Sequence, residues 1–134
     1  MDSIFTKIIK GELPGHFVWQ DDQCVAIMTI APIRPGHVLL IPREQIDHWD
    51  DLPAALASHL MLTGQRIAKA IKKALSPNRV GMMIAGFEVA HVHLHILPAE
   101  SLGAFDFSQA EQPDAHALAE KAHLIRQALE SLAE

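Results

Sequence analysis

"HVHLHILP", residues 91–98, sets a histidine at every second position of an otherwise apolar run. In an extended chain successive side chains point to opposite faces, so His91, His93 and His95 share one face while Val92, Leu94 and Ile96 share the other. The alternation predicts a strand with one face on the core and the other committed to chemistry. Same-face neighbours stand about 6.5 to 7 Å apart, so adjacent imidazoles can address one ligand. Three readings stay open at this point. The histidines could be a solvent face; they could bind a transition metal; or they could handle phosphate. The ends of the row are about 13 to 14 Å apart at the backbone, so a metal ion would use two of them and a residue from elsewhere. For phosphate, an imidazole with an ordinary pKa of about 6.5 is neutral often enough to attack, while its neighbours bind oxygens or move a proton.

Working outward, "RVGMMIAG" (residues 79–86) reads as the preceding strand, joined tightly to this one near Gly86. "HFVWQ" (16–20) and "CVAIMTI" (24–30) are β-rich runs separated by "DDQ", which predicts antiparallel neighbours. "RPGH" puts Pro35 and Gly36 where a type II turn wants them, and a third strand runs from His37 to Pro42. Helical spacing marks three other stretches. The N-terminal one has Asp2 or Ser3 as cap, Ile4, Phe5, Ile8 and Ile9 as its apolar face, and Gly11 as its end. From Asp50 to Ala74, Leu52, Leu56, Leu60, Thr63, Ile67 and Ile71 recur on one face, with Pro53 in the first turn; Met61 and Leu62 widen that stripe. A broad stripe suits either a deeply buried helix or one that also touches a second subunit. After a loop with Phe105 and Phe107, Leu118, Ala122, Ile125, Leu129 and Leu132 predict a C-terminal helix. The expected fold is α+β, with about five mainly antiparallel strands, a short N-terminal helix, a long central helix and a C-terminal helix.

The 134 residues suit one domain. A net charge of -5 offers no basic track for polymeric DNA or RNA, although a small nucleotide needs only a pocket. The lone Cys24 excludes an internal disulfide and, without a signal-like N-terminus, points to the cytoplasm. No apolar run approaches the roughly 18 to 20 residues of a membrane-spanning helix, so no membrane partner is expected.

The triad and its flanks together resemble the histidine triad (HIT) superfamily of nucleotide hydrolases and transferases. "HVHLHIL" fits its His-x-His-x-His pattern, and "SIFTKIIKGELPG", "QDDQCVAIMTIAPIRPGHVLLIPRE" and "AGFEVAHVHLHILP" are similar to its opening helix, central strands and active-site strand, in order. The resemblance covers residues 3–98, with the tail of 99–134 more loosely matched, and implies a single HIT domain over 1–134. It implies a purine nucleoside phosphoramidase or related nucleotidyl hydrolase that works as a homodimer on a purine nucleotide such as an AMP conjugate, with no cofactor.

Residue by residue, the resemblance makes His93 the nucleophile. Its Nε2 would attack the α-phosphorus to form a nucleotidyl-histidine, and its Nδ1 would keep a proton by donating to a backbone carbonyl. His95 would bind phosphate oxygens, His91 would help fix the tautomer and relay a proton, and His37 matches a fourth family histidine. Gly86 and the Glu88 backbone N–H would approach the phosphate, while the Glu88 carboxylate would repel it unless turned away. The nucleoside pocket carries over to Ile4, Phe5, Ile8, Leu13, Ile27 and Ile30, with Thr29 in place of the aspartate that usually holds the ribose. Many relatives bind structural zinc through Cys-x-x-Cys, a histidine after the third strand and the first triad histidine. Here those positions hold Ser3, Thr6 and Gln45, poor zinc ligands, so no metal is expected. The "IAGFEV" segment marks a branch with a shorter loop and Phe87 where relatives carry glutamine.

Overall fold

The computed structural model describes residues 1–133; Glu134, the last residue of the expected C-terminal segment, lies outside the described residues. Helix α1 (Ile4–Ile9) starts at Ser3, whose hydroxyl accepts the Thr6 N–H at 3.0 Å and so satisfies one of the free donors of the first turn. Strands β1 (Phe17–Gln20), β2 (Cys24–Met28) and β3 (Val38–Pro42) follow, then α2 (Ala54–Leu75), β4 (Arg79–Met83), β5 (Leu94–Ala99) and α3 (Ala115–Ala133). All sheet pairings are antiparallel, in the order β1-β2-β3-β5-β4. This is the α+β architecture that the alternating and helical patterns predict.

Strand periodicity divides the core in two. Cys24, Ala26, Met28, Val38, Leu40, Leu94 and Ile96 face one way and pack against Leu60, Ile67 and Ile71 of α2 and Leu118, Ala122 and Ile125 of α3. Val25, Ile27, Leu39 and Ile41 face the other way and pack under Phe5 of α1. The short α1 lies on this second face, and the buried histidines lie beside it, with Phe5 on His93 and Ser3 on His91.

Two local features differ from the sequence expectation. The β4–β5 connection is not a tight turn at Gly86: it takes in residues 84–93, and β5 begins at Leu94 rather than at the first histidine. The ladder with β3 stops at Leu40–Leu94 although Ile41 and Pro42 run on beside residues 91–93; Pro42 has no N–H, and its carbonyl accepts the His91 side chain at 2.8 Å. The backbone of this segment finds other acceptors, with Val92 N–H donating to Ile46 O at 2.7 Å and His91 N–H to Val89 O at 2.8 Å. The inward–outward alternation nonetheless persists, and Val92 sits in the same apolar cluster as Leu94 and Ile96. Among the described residues no helix is long and apolar enough to cross a membrane.

Candidate active site

Four histidines are almost wholly buried on the α1 side of the sheet: His37, His91, His93 and His95 are 1%, 0%, 2% and 4% exposed. They are not a solvent face. A cavity of about 430 Å³ opens onto His37, His93 and His95, floored by Ile27 and Leu39 and walled by Ile4, Phe5, Ile8 and Ile30. It is largely apolar, with its polar groups gathered at one end, the form in which small-molecule sites usually come.

The hydrogen bonds at that end determine where each proton sits. Gly36, at φ +93, closes a turn in which His37 N–H donates to Arg34 O at 3.1 Å, and only glycine takes that conformation without strain. The turn aims the Ile33 N–H at His37 Nδ1, 3.1 Å away. A backbone N–H can only donate, so Nδ1 accepts and the proton of neutral His37 is on Nε2. That Nε2–H donates to His95 Nδ1 at 3.0 Å. His95 in turn carries its proton on Nε2. Burial, and secondarily the His95 charge, push His37 down to about 3, so it is neutral at ordinary pH. His95 is also lowered, chiefly by burial.

His93 has the opposite arrangement. Its Nδ1 donates to the His91 carbonyl at 2.7 Å, which leaves Nε2 with a bare lone pair. The rings of His93 and His95 meet edge to face at 4.9 Å, and Phe5 packs on His93 at the same centroid distance. A bare Nε2 therefore stands beside a protonated one. Such a pair can attack an electrophilic centre and hydrogen-bond its oxygens together.

The His91 imidazole is turned away from this cavity. Nε2–H donates to Pro42 O at 2.8 Å and Nδ1 accepts from the Ser3 hydroxyl at 2.6 Å. Ser3, Thr6, Gln45 and His91 do come together, as a hydrogen-bonded cluster: Gln45 Oε1 accepts from Ser3 N–H at 2.7 Å and from Thr6 Oγ1 at 2.8 Å. The Ser3 and Thr6 hydroxyls and the His91 Nε2–H already have acceptors, and the oxygens are neutral, so the cluster does not fit a zinc ion. Burial lowers His91 as well, against the pull of its Pro42 hydrogen bond.

Glu88 is the unexpected neighbour. Its carboxylate is turned into the site, with Oε1 3.3 Å from His95 Nε2 and 3.7 Å from His93 Nε2. The 3.3 Å approach is not aligned for hydrogen bonding, and His95 Nε2 has no hydrogen-bond partner among the described residues. Glu88, His93 and His95 could by distance hold a metal ion. The proton on His95 Nε2 opposes it: metallation would push that proton to Nδ1, against the Nε2–H of His37, which the Ile33 N–H holds in place.

Of the residues expected at the nucleoside end, Ile4, Phe5, Ile8, Ile27, Thr29 and Ile30 line the cavity, and Leu13 does not. Gly11, at φ +82, turns the chain away after α1 and leaves Leu13 partly exposed. Gly86 lines a neighbouring depression with Trp49 and Phe87 and does not line the histidine cavity. Thr29 Oγ1 accepts the Ala31 N–H at 3.2 Å and still has its own proton to donate. The sequence reading missed Met28, Ala31, Leu39, Val89, Phe107 and Ala110. Phe107 matters most, packing edge-on to His95 at 5.0 Å. The only sequence signal for it was an aromatic residue in a polar loop. A second cavity of about 480 Å³, between the Pro32–Gly36 turn and α3, contains no histidine.

Known proteins are similar to this chain along most of its length. The HIT domain family model matches residues 10–102. An uncharacterized HIT-like protein of Synechococcus elongatus is 36% identical over 110 residues, covering 75% of this chain and 93% of the relative. Among solved structures, a zinc-bound histidine triad family protein from Mycobacterium smegmatis superposes with TM-score 0.85 at 28% identity, over 99% of this chain and 96% of that one. A hypothetical histidine triad nucleotide-binding protein from Sulfolobus tokodaii gives 0.84 at 25% identity, over 96% and 92%. The chain belongs to the HIT family, within the superfamily of nucleotide-binding hydrolases.

Proposed function

We propose that this protein is a nucleotidyl hydrolase that cleaves purine nucleoside 5'-phosphoramidates or related conjugates through a covalent nucleotidyl-histidine. The observation that carries the reading is the pair of opposed tautomers, a bare Nε2 on His93 beside a protonated Nε2 on His95. His93 attacks the α-phosphorus, the phosphorus–leaving-group bond breaks, and the leaving group takes up a proton from solvent as it departs. Water then attacks the same phosphorus and returns a proton to solvent, the phosphorus–nitrogen bond breaks, and His93 is regenerated with release of the nucleoside monophosphate. His95 donates to a phosphate oxygen in both steps, and His37 keeps that donor protonated. His91 contributes its carbonyl, which holds the His93 tautomer. The purine lies among Ile4, Phe5, Ile8, Ile27 and Ile30, with Thr29 available to a ribose hydroxyl. No step needs a metal.

The chain acts as a cytoplasmic homodimer in this proposal. The half-exposed Met61 and Leu62 on α2 support that assembly, as does β4, an edge strand of the sheet.

The test is AMP release from adenosine 5'-phosphoramidate after chelator treatment, with His93→Ala alongside. Release that survives chelation and disappears in the variant is expected. Tight AMP binding without turnover would replace the enzyme by a nucleotide-binding module. Activity lost on chelation would make it a metal protein.

A further inference from the structure

The phosphate end of the cavity already contains a negative charge of the protein's own. Glu88 Oε1 sits 3.3 Å from His95 Nε2 and 3.7 Å from His93 Nε2, the two atoms that a bound α-phosphate must approach under the proposal above. Both rings are almost fully buried, whereas the Glu88 side chain is 40% exposed. An entering anion therefore displaces the carboxylate and leaves the rings in place. Partial burial would raise the Glu88 carboxyl, but its own backbone N–H and the adjacent His93 and His95 outweigh that and hold it below the usual value. It is ionised at neutral pH. No lysine or arginine is among the described residues that line the cavity; its ionisable groups are Glu88, His37, His93 and His95. The cavity thus brings no fixed cation to a second negative charge.

Substrate and product differ in that second charge. A phosphorus bonded both to a nucleoside and to a leaving group carries one negative charge, while a phosphate monoester carries about 1.5 to 2 at pH 7. We propose that Glu88 is a specificity-determining residue, an internal anion that admits singly charged nucleotidyl esters and amides and expels the doubly charged monophosphate product. The inference rests on the nucleotide reading of the site and adds to it the selection by charge. It also accounts for a cavity in which one carboxylate faces the phosphate position and no cation does.

The test compares binding of AMP and of its monoanionic methyl ester, adenosine 5'-methylphosphate, by calorimetry at pH 7.5, using the whole chain and Glu88→Gln. An added charge about 4 to 5 Å away in a partly solvated site changes affinity by about tenfold or more. Wild type should prefer the ester. Both ligands lose repulsion in Glu88→Gln, and AMP, with its extra charge, should gain about tenfold more than the ester; Glu88→Ala, a second variant guarding against a folding fault in the first, should move the same way. Equal gains for both ligands, or no gain for AMP in either variant, overturn the role of Glu88 and leave the nucleotide reading intact. Failure of both ligands to bind any form overturns the nucleotide reading, and this inference with it.

Discussion

His93 and His95 are two positions apart on one chain, and the backbone gives them opposite proton placements at Nε2. For His93 the decisive partner is the carbonyl of His91; for His95 it is the Ile33 N–H, acting through His37. His37 is thus a positioning residue, and its contribution can be separated from mere bulk. His37→Gln retains an amide N–H able to donate to His95 Nδ1, whereas His37→Leu does not. Turnover of the phosphoramidate should fall by about 10²-fold or more in His37→Leu, within the range for acid–base positioning, and less in His37→Gln. Nitrogen NMR of His95 should show its proton fixed on Nε2 in wild type and shared between the ring nitrogens in His37→Leu. Phe107 belongs to the same scale. Phe107→Ala should raise KM several-fold with little change in thermal stability, because the ring is 41% exposed and its neighbour is the site rather than the core.

At the scale of elements, the first turn of α1 links to the segment that precedes β5. Ser3 caps the helix through Thr6 N–H and also donates to His91 Nδ1. Ser3→Ala removes both contacts and should cost about 1 to 2 kcal/mol in urea denaturation. The same geometry predicts what it would take to convert this cluster. Ser3→Cys, Thr6→Cys and Gln45→His together place two thiolates and an imidazole around His91, and the triple variant should bind about one zinc per chain, with a thermal midpoint that chelator lowers. Wild type should bind none there. The β1–β2 turn is pinned in a comparable way: Asp21 accepts from the backbone N–H groups of Gln23 and Cys24, from Trp19 Nε1 and from His59 of α2. Cys24, beneath it, is pushed up to about 12 by burial and by Asp21, so its thiol is unreactive at ordinary pH.

Across the whole molecule, the burial of neutral imidazoles makes stability depend on pH. His37, His91 and His95 all have folded pKa values below the ordinary 6.5, His37 at about 3. Between those values and 6.5 the unfolded chain binds more protons than the folded one, so stability increases with pH and acidification below about 6.5 destabilises. Asp21 adds a second loss. Burial tends to raise its carboxyl, but hydrogen bonds from Trp19, Gln23, His59 and Cys24 outweigh this and depress it, so its contribution is present above about 4 and fades below. Thermal midpoints measured from pH 8 to pH 4 should fall from about 6.5 downward, and His37→Phe should flatten part of that slope. The proposed dimer is tested at this scale too. Met61→Glu with Leu62→Glu should convert it to monomer by light scattering, whereas Ile67→Ala, wholly buried on the same helix, should cost about 2 to 5 kcal/mol.

What could be read without coordinates was periodic or positional. Alternation over residues 91–98 put the three histidines opposite Val92, Leu94 and Ile96, helical spacing located α1, α2 and α3, and Pro35–Gly36 marked the turn before His37. These follow from 2.0 and 3.6 residue periods and from φ preferences, which act within a few residues. Only the tertiary structure decided the rest. The Pro42 carbonyl took the His91 side chain where the ladder with β3 stops; Ile33, distant in sequence from His95, set its tautomer; Phe107 arrived from a loop beyond β5; and Glu88 turned its carboxylate inward. The first three depend on contacts between segments far apart in the chain, and the last on the path of an irregular loop, where composition and period carry no information. The histidines were legible because their spacing is local, and the proton placement that distinguishes attacker from donor was not, because it is a property of their partners.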